Sequence, residues 1–256
     1  MHFKKRLSLS LLSLIISEII NKLTPLITLR LARIKLGLEV FGKAQFAIIF
    51  IETIAPFLTV GSSLLGALEL RDGKLKNSQE KKSFSFHLIL AKSLILILSL
   101  FILIPIILKT SLYEYKTYFF AASLLLLSTV IETDYISLGR QRLISRHIFI
   151  SFSKIFGLFL MVFFVNGKED VFKFIIFYCL PLFFLASLSF ISNIKDLNFS
   201  LPSFPELQSL YKKSLPYMFL LFILPIFERY DIFLVEYFYS KSVLGTYTSH
   251  FRLVQA

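Results

Sequence analysis

The chain has 256 residues, 56% of them hydrophobic, with 30 Phe, no Trp and a formal net charge of +12. A soluble domain is normally about 45–50% apolar, and here the excess is gathered into long blocks, which excludes an ordinary soluble domain. The charge would point to nucleic acid in a soluble chain; basic loops at the cytoplasmic face of a membrane account for it better, and no nucleic-acid partner is expected.

The composition predicts an all-α integral membrane protein, a polytopic bundle of transmembrane helices. A spanning helix needs about 20 mostly apolar residues. Seven stretches qualify: residues 7–29, 44–65, 88–108, 117–138, 148–165, 171–191 and 215–238. Residues 248–256 read as the start of a further segment. The N-terminus begins like a signal peptide, but no small-residue cleavage site follows, and the apolar run continues past Glu18, Asn21 and Lys22. A first span that stays is therefore expected.

Orientation follows from the basic residues of short loops. With the N-terminus in the cytoplasm, the inner segments hold Lys4, Lys5, Arg6, Arg71, Lys74, Lys76, Lys81, Lys82, Arg140, Arg142, Arg146, Lys195, Lys212 and Lys213. The outer segments hold fewer: Arg30, Arg33, Lys35, Lys43, Lys109, Lys116, Lys168, Lys173 and Lys241. The first outer loop is unusually basic and speaks against this arrangement. Tyr113, Tyr115, Tyr118, Tyr237, Tyr239 and Tyr247 gather near the outer ends, where tyrosine suits the interface. Two connections are longer. Residues 69–87 read as a solvated cytoplasmic loop. Residues 193–214, with Pro202 and Pro205, read as a cytoplasmic linker between two helical groups. No large domain stands outside the spans, so any function is carried out within the bilayer or at its surface.

Polar residues inside the spans fall on stripes. Ser10, Ser17, Asn21, Thr24 and Thr28 keep one face of the first span, with Glu18 and Lys22 beside it at a spacing that allows an ion pair. The stripe is either packing glue between helices or a cavity wall. Glu52, Pro56, Thr59 and Ser63 keep one face of the second span; Pro56 frees a carbonyl that protein or water must satisfy. The alternative is a kinked helix with a neutral Glu52 in a protein interface. Ser128, Glu132 and Tyr135 share a face of the fourth span, with Asp134 nearby, and these acids are expected to reach the headgroups. Lys92 and Lys154 are expected to snorkel from helix ends.

The seventh span carries Glu228, Arg229 and Asp231 in the middle of an apolar run. Charges at that depth cost about 2.5–3.5 kcal/mol each on insertion scales and persist where they face a bundle interior or a wet cavity. Glu228 and Asp231 share a face, while Arg229 points elsewhere and is free to pair across to another helix. Two roles remain open for Glu18, Glu228 and Asp231: coupling-ion ligands or structural ion pairs. Glu236 is expected to sit wet at the outer end. Cys179 has no partner for an internal disulfide, and neither it nor His2, His87, His147 and His250 shows metal-ligand spacing, so no metal or other cofactor is expected.

The stretch SLPYMFLLFILPIFERYDIFLVEYFYSKSVLGTYTSHFRLVQ resembles the seventh helix and following loop of bacterial polysaccharide exporters, the Wzx-like flippases of lipid-linked oligosaccharides. These belong to the multidrug/oligosaccharidyl-lipid/polysaccharide exporter superfamily. The resemblance rests on Leu215-Pro216, on Glu228-Arg229-Tyr230-Asp231 and on Gly245-Thr246-Tyr247. LGLEVFGKAQFAIIF is similar to the family's stretch between helices one and two, with Leu38 in place of a proline and Phe41 in place of a tyrosine. GALELRDGK and ISLGRQRLISRHIFIS are similar to the end of helix two and to the loop between helices four and five.

The resemblance implies two six-helix lobes enclosing a cavity. Residues 1–192 would form the N-terminal lobe, 193–214 the linker, and 215–256 the first one or two helices of the second lobe, so the chain looks like a fragment. It also implies a substrate, an undecaprenyl-pyrophosphate-linked oligosaccharide moved across the cytoplasmic membrane for O-antigen, capsule or exopolysaccharide assembly. Membrane lipids, a polysaccharide polymerase and a chain-length protein are implied partners. Asn21, Lys22, Arg30, Arg33, Glu52 and Arg229 are the candidate cavity and substrate residues, the arginines because guanidinium suits bidentate phosphate contact. No catalytic residue is expected. A drug or cation antiporter of the same superfamily is the nearest alternative. A membrane polymerase or transferase is a third reading, disfavoured because the outer loops lack paired carboxylates or a histidine cluster.

Overall fold

In a computed structural model the backbone is described for residues 2–71, 75, 77–139 and 143–255, and side chains for 15–71, 75, 77–139 and 149–252. Lys4, Lys5, Arg6, Ser10, Lys74, Lys76, Arg140, Arg142, Arg146, His2 and His147 lie outside the described side chains. Among the described residues there is no strand. The helices are α1 (His2–Leu36), α2 (Leu38–Leu58), α3 (Ala67–Arg71), α4 (Ser78–Lys109), α5 (Lys116–Ala122), α6 (Leu124–Ile131), α7 (Asp134–Gly139), α8 (Leu143–Phe164), α9 (Val171–Asn193), α10 (Phe204–Phe238) and α11 (Lys241–Gln255). Three stretches are long and apolar enough to cross a membrane: Leu38–Leu58, Ser78–Lys109 and Lys168–Asp196. The pair Ser111–Ala122 and Leu124–Gly139 passes the same test together and is bent by 42° at its break, the geometry of a broken span or of a re-entrant loop. Phe101 (75% exposed), Phe120 (75%) and Phe227 (72%) turn large apolar surface outward, as a lipid-facing helix does.

Several boundaries differ from those the sequence predicts. The second span stops at Leu58. Pro56 supplies no N–H, Val60 and Gly61 take left-handed backbone angles (φ 53° and 62°), and a π turn follows at Ser62–Gly66. A left-handed β-branched residue is uncommon; Val60 is wholly buried, and at the next position a Cβ on Gly61 would lie 2.6 Å from the Tyr217 Cβ of α10. α4 starts at Ser78, well inside the stretch expected as loop. α10 starts at Phe204, where Ser203 and Glu206 form a capping box, so half of the expected linker is helix. The Ser203 N–H and hydroxyl, both donating to Glu206, hold its carboxyl below the usual carboxylate range. Gly245-Thr246-Tyr247, expected in a loop, lies in α11.

The core is built around α2. Phe46 (2% exposed) packs among Phe50, Tyr115, Phe119 and Phe233, with ring centroids 5.0–6.4 Å apart. α11 lies along α2 in the same direction, and the two meet at glycines. A Cβ on Gly42 would strike the Lys241 carbonyl, and one on Gly245 would strike the Leu38 carbonyl. Each glycine thus receives the backbone one turn before the other, a reciprocal contact that small residues allow between helices.

Candidate functional site

Glu52 is the hub. Its Oε2 accepts from Arg252 Nη2 at 2.6 Å and lies 3.6 Å from Arg229 Nη1; its Oε1 accepts from the Tyr178 hydroxyl at 3.4 Å. Four helices supply the cluster: α2, α9, α10 and α11. One carboxylate serves two guanidinium groups, which leaves one positive charge in excess. Arg229 Nε and Nη1 and Arg252 Nε are buried without a hydrogen-bond acceptor, so donor capacity is unspent. A buried donor left unmet costs about 1–3 kcal/mol, and an anion's oxygens would satisfy it.

Three cavities converge on this cluster, and Arg252 lines all of them. The first, about 370 Å³, runs between α1, α8 and α9 and is lined by Asn21, Lys22, Thr24, Thr28, Lys154 and Tyr178 among apolar walls. The second, about 600 Å³, lies between α1 and α11 and carries Arg30, Arg33 and Ser249. The third, about 520 Å³, lies between α2, α6, α9 and α10 and carries Pro56, Thr59, Ser63, Ser128, Glu132, Asp134 and Arg229. Lys22, Arg30, Arg33, Lys154, Arg229 and Arg252 outnumber Glu52, Glu132 and Asp134 along these walls.

The candidates are thus divided. Asn21, Lys22, Arg30, Arg33, Glu52 and Arg229 all line cavities, and Arg229 pairs across helices to Glu52. The stripes Asn21–Thr24–Thr28 and Glu52–Pro56–Thr59–Ser63 are both cavity walls. Glu18, Glu228 and Asp231 do not join them as one group. Glu18 is exposed on α1 and acts electrostatically on Lys154. Glu228 is exposed on α10. Asp231 accepts from the Tyr247 hydroxyl and from its own Ile232 N–H at 2.9 Å, which ties α10 to α11.

Other expectations need correction. Glu236 is not simply wet: it accepts from Tyr115 at 2.9 Å and from Lys241 at 2.6 Å. Tyr115, expected in an interfacial belt, is buried, and Tyr247 is engaged by Asp231. Asp134 is 7% exposed and lines a cavity. Lys92 is fully buried, and Lys154 turns inward, donating to the Asn21 carbonyl at 3.3 Å.

Arg252 is the residue that sequence reasoning missed. A signal existed, since Gly245, Thr248 or Ser249 and Arg252 follow at steps of three and four and so keep one helical face. Among the described residues no group of three or more His, Cys, Asp or Glu gathers as metal ligands would. Comparison of the chain with family models, with curated proteins and with solved structures found no match.

Proposed function

We propose that this chain is a multi-pass membrane transporter that carries an anionic, lipid-anchored oligosaccharide between leaflets, as the flippases it resembles do. The substrate class is an undecaprenyl-pyrophosphate-linked repeat unit, moved from the cytoplasmic to the periplasmic side of a bacterial cytoplasmic membrane, with the N-terminus in the cytoplasm. The observation that carries the proposal is the Arg229–Glu52–Arg252 cluster, a net positive, donor-rich point on which three cavities converge. A pyrophosphate needs such a point, because guanidinium groups match its oxygens and a low-dielectric wall strengthens the attraction. Arg30 and Arg33 would extend the positive path, and the sugars would take the polar wall of Asn21, Thr24 and Thr28. The polyprenyl tail would remain in lipid.

Movement is assigned to alternating access, one helical group rocking against another around a fixed site. Residues 1–192 would form one group and α10 with α11 would belong to the other. A polysaccharide polymerase and a chain-length protein would act downstream as partners. The chain is assigned no catalytic residue.

The test is genetic. The gene is deleted from its host, polyprenyl-linked oligosaccharides are extracted, and the leaflet that holds them is determined. Finished units held on the cytoplasmic leaflet, and released when the gene is restored, support a flippase. Normal transfer to the outer leaflet removes this reading. It would move the weight to drug or cation antiport, a reading favoured by one observation, the three acids Glu52, Glu132 and Asp134 on a single cavity wall. Gene-dependent export of a cationic dye would then be expected.

A further inference from the structure

Lys92 takes no part in the arginine–glutamate cluster, yet its environment is the more specialised of the two. It sits on α4 with its side chain wholly inside the protein (0% exposed). Its Nζ donates to the carbonyls of Thr129 at 3.1 Å and Glu132 at 2.6 Å, and it lies 5.3 Å from the centre of the Tyr135 ring. Those carbonyls flank a break inside Leu124–Gly139, separate from the 42° bend beside Ser123: α6 ends at Ile131, the backbone leaves the helix at Glu132 (ψ 126°), and α7 resumes at Asp134.

The break is held from the other side by α9. Thr133 Oγ1 lies 3.1 Å from Ser189 Oγ, and Asn193 Nδ2 donates to Thr133 Oγ1 at 3.2 Å and to Ser137 Oγ at 3.3 Å. Unwound carbonyls at the C-terminal end of a half-helix carry partial negative charge, and in discontinuous membrane helices such carbonyls hold a coupling sodium ion or proton. Here an ammonium tethered to a neighbouring helix fills that position. The charged and titratable groups facing it are Glu132 and Asp134, which act on it electrostatically, and the Tyr135 ring. From α9, Ser189 and Asn193 bond Thr133 and Ser137. From α10, Tyr211 bonds the adjacent Ala91 carbonyl at 2.9 Å. Thr129, Glu132 and Asp134 also line the 520 Å³ cavity, so the break borders space that can hold water.

We propose that Lys92 is the resident cation of this broken helix, standing where a coupling ion would bind, so that the site exchanges a proton instead of a metal ion. The proton leaves Nζ by way of the Glu132 or Asp134 carboxylate to water in the cavity. The neutral amine then holds the carbonyls less tightly and the break loosens. Reprotonation tightens it. The inference rests on the transporter reading only for the use made of the movement. The test involves no substrate, so the two fail separately.

The experiment is hydrogen exchange of the peptide spanning residues 124–139 in the whole protein, from about pH 6 to about pH 10. Each rate is divided by that of the free peptide at the same pH. The wild-type ratio is expected to rise through one step by roughly tenfold, the worth of one charge-assisted hydrogen bond. Lys92→Met keeps the length without the charge and is expected to exchange fast throughout, with no step. Glu132→Gln removes a negative neighbour and is expected to move the step to lower pH. A flat wild-type ratio, or a Lys92→Met variant as protected as wild type, overturns the proposal. Should Lys92→Met not fold, wild type and Glu132→Gln decide alone, and a step unmoved by Glu132→Gln overturns it.

Discussion

α2 is one helix with two kinds of surroundings. From Gly42 to Phe50 it is sealed: α11 meets it backbone to backbone, and Phe233, Phe119 and Tyr115 close over Phe46. From Glu52 to Ser63 the same helix, with the turn beyond it, borders a cavity of about 520 Å³ and meets α10 through Arg229. The residue types explain the change. In the sealed half glycines and aromatic rings fill the space closely, and the buried Gln45 amide is the polar group left there without a hydrogen-bond partner. Glu52, Pro56, Thr59 and Ser63 expose acceptors and donors that packing alone would leave unmet, so space stays beside them. The sealed half fixes how α2, α10 and α11 sit, and the open half is where a ligand has room.

Breaking the sealed half should have the largest effect. In Gly245→Leu the new side chain has to enter where the Leu38 carbonyl already lies. Backbone cannot yield as a side chain end does, and the expected cost is about 5 kcal/mol or more, beyond ordinary overpacking. Loss of the cooperative thermal transition in detergent would register it; an unchanged Tm would show that α11 does not pack on α2 as described.

Phe46→Ala comes next. It removes a ring in contact with four others and leaves a cavity, at about 3–5 kcal/mol. The fall in stability should be read by denaturant or thermal unfolding. Glu52→Gln probes the open half and should cost less, about 2 kcal/mol, because the carboxylate is partly wet although two guanidinium groups lose their counter-charge. A larger loss for Glu52→Gln than for Phe46→Ala would reverse the comparison.

The sequence disclosed the open half more readily than the sealed one. Steps of four, three and four put Glu52, Pro56, Thr59 and Ser63 on one face, and of the charges in the apolar run of α10, Arg229 and Asp231 do meet other helices while Glu228 is exposed. What stayed hidden depended on partners far along the chain. Glu52 finds Arg252 two hundred positions away, a pairing no local period reveals. Glu228 and Asp231 share a face by spacing, but α11 supplies Tyr247 to one of them and leaves the other outside. Lys92 was misplaced because SQEKKSFSFH, the polar start of α4, looks like loop. Once the helix is seen to begin at Ser78, Lys92 lies too deep to snorkel. The breaks at Val60 and Glu132 were illegible for a related reason, since each is held open by contacts from another helix.

The measurement that tests the account most directly is transfer of a polyprenyl-pyrophosphate-linked sugar between leaflets, comparing cells that carry the wild-type gene with cells that carry Arg252→Ala. Arg252 touches all three cavities and shares Glu52 with Arg229. Its loss should cut transfer by roughly tenfold or more, the worth of a charge-assisted contact to phosphate, while the protein inserts in the membrane at its normal level. Transfer equal to wild type in Arg252→Ala would contradict the account.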